Sequence, residues 1–170
     1  RWAQLEPDNA ASWLAVGEAA KLRGDEAAQL DALHRVALAP RMDTGFAELT
    51  GHVDATLLAL GGSPDDGAVG WLMVHTFGRD MARGIVGFGA MASLCAPPAL
   101  RDANRRQLCQ GVARMLIKQG QTLADISMGL SLAKRVGIPA EEFAAIRAEF
   151  DAAQKWQTEE LAGAPEQTLS

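Results

Sequence analysis

Apolar residues recur at three- and four-residue intervals along nearly the whole chain, and no stretch shows the strict alternation of a half-buried strand. Glycine, proline and capping residues divide this pattern into about eight helices. The first full helix is predicted over residues 10–22, with Asp8 or Asn9 as its cap and Gly24 beyond its end. The second covers 25–38 and stops before Pro40. The third covers 44–60, with Asp43 as cap. Ser63-Pro64-Asp65-Asp66 opens a fourth that runs to about 77: a cap, a first-turn proline and acids at the positive end of the helix dipole. A fifth spans 80–95, and Pro97-Pro98 resets the chain before a sixth over 99–118. Thr122 with Asp125 forms a capping-box pattern for a seventh that ends at Val136 before Gly137. The last runs from Pro139 to about 161, with a frayed tail over 164–170.

Composition supports an all-α fold. The chain has 170 residues, 48% hydrophobic and 22% charged, with 5% aromatics and no tyrosine. Alanine, the best helix former, is the most abundant residue. A chain of this length makes a single domain over 1–163. The net charge of −5 argues against a general nucleic-acid or anionic-membrane binder. The longest uncharged stretch, 84–100, is broken by three glycines and two prolines, so it reads as a buried helix and its exit turn rather than a membrane span. Charge is also uneven. Residues 51–100 carry two cations and four acids, against nine of each over 101–170, which points to the middle third as the packed centre. The chain starts with Arg1 rather than Met, which suggests a removed leader or a longer natural protein.

The segment Leu5-Glu6-Pro7-Asp8-Asn9-Ala10-Ala11-Ser12-Trp13 resembles the junction between two tetratricopeptide repeats. The match continues through Gly17, Ala20 and the turn Gly24-Asp25, and loosens afterwards, with Gln29 where a small residue is usual and Leu33 and Ala37 on the core face. It covers about residues 5–40. A regular array needs about three repeats, and no second copy is evident. The resemblance therefore implies one tetratricopeptide-like hairpin over 1–40, fused to a non-repetitive helical bundle over 41–163. Members of that family generally bind partner proteins or peptides on a concave face. The resemblance carries over no catalytic residues.

Candidate chemistry is sparse. The histidines, His34, His52 and His75, lie too far apart for a helical metal motif, and no cofactor motif is present. Cys95 and Cys109 admit two readings. One is two buried free thiols. The other is a disulfide closing a loop of roughly 15 residues, worth about 3 kcal/mol and favouring an exported protein. A reactive Cys109 beside Arg105 and Arg106 is a weaker reading than a solvated arginine face. The Gly84–Gly89 run lacks the strand and the lysine of a phosphate loop, so it reads as close helix packing. Acid pairs at Asp65-Asp66 and Glu141-Glu142 suit first helical turns. The methionines fit as core filler.

These observations point to a non-enzymatic helical interaction module of an exported or periplasmic bacterial protein, a scaffold or an inhibitor of immunity type. Its partner would be another protein or a peptide. The residues chosen for that contact are Trp13, Gly17, Lys21, Arg23 and Trp156. The alternative is a small-ligand or enzymatic bundle with a pocket over 71–91, where Trp71, His75, Arg79 and Asp80 supply the polar and aromatic groups.

Overall fold

The computed structural model describes residues 1–45, 52, 55, 56, 59–61 and 87–163. The helices expected over 44–60 and 64–77, most of the one over 80–95, and the tail lie outside the described residues or are only sparsely represented in them. Within the described residues the fold is all-α. The one β-type feature among them is an isolated parallel bridge between Asn9 and Arg41.

A short first helix, α1 (Trp2–Leu5), leads into a helical hairpin of α2 (Ala10–Leu22) and α3 (Glu26–Leu38). Asn9 rather than Asp8 caps α2, its side-chain oxygen accepting the Ala11 N–H at 3.1 Å. Gly24, at φ +72°, takes the left-handed conformation that the hairpin turn requires. Asp25 then caps α3 by accepting the Ala28 N–H. Residues 87–94 form α4, which lies against α2: the Ala90 N–H donates to the Glu18 carboxylate at 2.7 Å.

Cys95 and Cys109 form a disulfide, with 5.9 Å between their Cα atoms. Of the two readings left by the sequence, this is the one the structure has. Both residues are fully buried, and the bond ties the end of α4 to α5 (Ala103–Gln119). The start of α5 departs from the expected position. Residues Ala99–Arg101 form a separate 3-10 turn, because Asp102 breaks the helix and caps a new one through the Arg105 N–H.

The predicted capping box at the head of α6 (Leu123–Val136) is present: Thr122 accepts from Asp125 N–H, and Asp125 accepts from Thr122 N–H. At the other end Gly137 has φ +77°, a left-handed helix stop. The last helix also begins later than expected. Ala140–Phe143 is a 3-10 turn, and α7 is Ala144–Gly163.

The layers follow from which faces are buried. α5 is central, packing on α3 on one side and on α6 on the other. Leu116, Val36 and Val112 are among the most deeply buried side chains. Two glycines on these faces mark where helices approach closely. A Cβ at Gly111 would lie 3.0 Å from the Ala37 Cβ, and one at Gly129 would lie 2.7 Å from Ile117 Cγ1. The described end of the Gly-rich middle third, Phe88 to Cys95, contributes Phe88, Met91 and Leu94 to the same core.

Candidate functional site

The best-defined polar constellation in the described residues closes the base of the hairpin. Asn9 is 1% exposed and all four of its side-chain hydrogen bonds are local or tertiary. Its amide nitrogen donates to Glu6 Oε2 and to the Asp43 carbonyl, both at 2.7 Å. Its oxygen accepts from Ala11 N–H and from Asp43 N–H. The Ser12 hydroxyl, also buried, lies 3.0 and 2.8 Å from the Glu6 and Asn9 carbonyls.

Arg41 lies over this base. It donates to Glu6 and Asp8 and approaches Asp43 at 3.6 Å. The Asn9 amide and the Arg41 guanidinium hold the Glu6 carboxyl below its usual range, and Arg41 does the same for Asp8. The two acids in turn push the Arg41 pKa up. These groups fasten the chain entering α2 to the chain leaving α3. The capping role of Asn9 was readable from its residue type. Arg41 was not, because its partners lie 33 and 35 residues away and nothing in their spacing signals the contact.

Trp13 stands above this base. The indole is half-buried rather than sunk beneath the hairpin, its Nε1–H donates to the Pro7 carbonyl at 2.8 Å, and the Arg35 guanidinium lies 4.5 Å from the ring centroid. Gly17 is enclosed where α2, α3 and α4 meet. A Cβ there would sit 3.6 Å from Ala32 and 3.7 Å from Ala90, so Gly17 supports the surface from inside. Lys21 is exposed and 3.7 Å from Glu18, and Arg23 is exposed at the end of α2. Trp156 lies on α7, remote in sequence from the hairpin, with 64% of its surface open. The structure thus places Trp13, Gly17 and Lys21 on α2, Arg23 at its cap, and Trp156 on α7.

No family model matches the chain, and neither a curated protein nor a solved structure matches it.

Trp71, His75, Arg79 and Asp80, the residues of the alternative pocket, lie outside the described residues. Between α2, α3 and α4 there is a gap of only about 10 Å³, bordered by Trp13, Gly17, Gln29, Ala32 and Met91. That is room for one water at most. Among the described residues no three His, Cys, Asp or Glu side chains group in a way that would hold a metal ion. His34 and His52 are exposed. The bonded Cys109 is no free thiol, and its neighbours Arg105 and Arg106 are used structurally: Arg105 pairs with Glu26, and Arg106 donates twice to the Leu100 carbonyl. Glu142 of the Glu141-Glu142 pair is held by Arg114 in a two-pronged contact of 2.6 and 3.0 Å, which keeps its carboxyl below the usual range.

Proposed function

We propose that this chain is a non-enzymatic protein-interaction module, with a tetratricopeptide-like hairpin over residues 5–40 forming part of its contact surface. The observation that carries the reading is the exposure of two tryptophans, Trp2 at 40% and Trp156 at 64%, in a chain with only four. An exposed leucine is ordinary. An exposed tryptophan leaves a large apolar surface in water, and tryptophan is the residue type most enriched at the energetic centres of interfaces. Leu5, at 74%, and Leu22, at 81%, extend the open apolar surface on and near the hairpin. The partner is another protein or a peptide, and the module acts as a scaffold or as an inhibitor.

The same reading places it in an exported bacterial protein. A buried disulfide is compatible with an oxidising compartment. No helix in the described residues is long and apolar enough to cross a membrane.

The test is lysine crosslinking in the native cell, followed by capture of the tagged chain and mass spectrometry, run beside a Trp2→Ala, Leu22→Ala variant. The expected result is one reproducible partner crosslinked at Lys21 and depleted with the variant. Equal recovery of the same proteins by both forms, or no specific partner, overturns the reading.

A further inference from the structure

Among the described residues, α4 is held to its neighbours in three ways. Phe88, Met91 and Leu94 turn into the core. Against α2 the contact is made by small residues: a Cβ at Gly17 would lie 3.7 Å from the Ala90 Cβ, and one at Gly87 would lie 3.3 Å from the Leu14 Cβ. One polar tie crosses that contact, from the Ala90 N–H to Glu18 at 2.7 Å. The disulfide, at the residue that follows α4, is the third hold. The gap of about 10 Å³ lies in the same seam, so Ala90 and Met91 lack packing partners on that side. The segment after α4 stays on α5 by other means. Leu100 is buried, and its carbonyl accepts two hydrogen bonds from Arg106 at 2.8 and 3.1 Å. Asp102 caps α5 through the Arg105 N–H. The hairpin packs on α5 directly through α3, and α5 packs on α6, so neither contact runs through α4. The disulfide therefore spans Ala96-Pro97-Pro98, where neither proline has an N–H to donate, and fastens α4 across that connection.

We propose that Cys95–Cys109 is a redox latch on α4. While the bond is intact, α4 covers the inner face of the hairpin. Reduction lets α4 lift away at Ala96-Pro97-Pro98 with the hairpin, α5 and α6 still packed. Lifting uncovers Leu14, Leu33 and Val36, all buried in the closed form, as an apolar strip between α2 and α3. The proposal does not depend on the reading of the exposed tryptophans as contact residues. The chemistry is thiol–disulfide exchange with a dithiol. One thiolate of the dithiol attacks a cysteine sulfur, and the other cysteine leaves as a thiolate that takes up a proton. The second thiolate of the dithiol then attacks its own sulfur in the mixed disulfide and releases the first cysteine. Two electrons pass to the protein, which ends with two thiols, and the dithiol ends as its own disulfide. Both cysteines are closed to solvent in the folded chain, so the rate of exchange reads how often the chain opens around them.

The test is the rate at which excess dithiothreitol reduces the full chain, read by alkylation and mass. Lifting one short helix exposes little surface, so the rate should stay level as urea is raised below the unfolding transition. Glu18→Ala removes the acceptor of the Ala90 N–H and should raise the rate about tenfold, the scale of a lost hydrogen bond to a charged group. Arg114→Met, which breaks the ion pair to Glu142 away from α4, should leave it unchanged. The reduced chain should keep most of its far-ultraviolet helix signal and gain binding of anilinonaphthalene sulfonate, a dye for uncovered apolar surface. Three results overturn the proposal by making the bond a staple of the whole fold. They are a rate that climbs with urea in step with global unfolding, an equal response to Glu18→Ala and Arg114→Met, and loss of the entire helix signal on reduction. A reduced chain that binds no dye also overturns it, because α4 then stays seated without the bond.

Discussion

Two of the joints between the described helices do the same job with opposite chemistry. At the base of the hairpin, Asn9, Arg41, Glu6, Asp8 and Asp43 fasten the entry of α2 to the exit of α3 through hydrogen bonds and ion pairs, with the charged groups on the surface. Between α4 and α5 a single covalent bond does it from inside the core, at two residues with no solvent exposure. The first joint draws on a buried amide and screened charges, so acid and salt act on it. The second ignores both and answers only to reductant that gains entry. These two joints therefore fail independently, each under a different solution condition.

The largest effect should come from the covalent joint. The bond spans 14 residues, and in the loop-entropy account its loss costs about 3 kcal/mol. Urea melts of Cys95→Ala, Cys109→Ala, or of the natural chain with reductant, should show that loss at neutral pH and in high salt alike. An unchanged midpoint would mean that the bond does not constrain the unfolded chain. Next comes Asn9→Ala, which removes a helix cap and leaves the Asp43 N–H without its partner. The expected cost is about 2 kcal/mol, and a loss below a few tenths would show that water replaces the amide. The smallest effect belongs to the exposed ion pairs. Glu6 and Asp8 have carboxyls held below their unfolded values, so their contribution is present at neutral pH. It is lost as pH falls through those depressed values, below the ordinary carboxylate range near 4. Thermal melts between pH 7 and pH 3 should therefore drop less steeply for Arg41→Met than for the natural chain. Parallel curves would remove Arg41 from the joint.

Local chemistry was legible in the sequence and remote chemistry was not. The limits of α2 and α3, the Thr122–Asp125 capping box and the stop at Gly137 all follow from residues within one turn of the feature. The two late helix starts come from 3-10 turns that fit between proline and helix, after Pro97-Pro98 and after Pro139, and at the first of them Asp102 is a stronger cap than the prolines are a start. The structure holds Trp13 half-buried, packed against the core and under Arg35, a contact across 22 positions that no periodicity encodes. Arg41 belongs to the same class. Of the candidate contact residues, exposure of Trp156 was foreseeable from its neighbours Lys155 and Gln157, but the enclosure of Gly17 needed α4 in place.

The close approaches at Gly111 and Gly129 give the bundle a mechanical character. A contact between full side chains can yield, since a leucine changes rotamer before the backbone moves. Where glycine backbone meets Ala37 on one flank of α5, and Leu116 and Ile117 meet glycine backbone on the other, there is no such slack. At these two contacts α3 against α5, and α5 against α6, have little room to shift before backbone meets side chain, because a close-packed interior transmits strain rather than absorbing it.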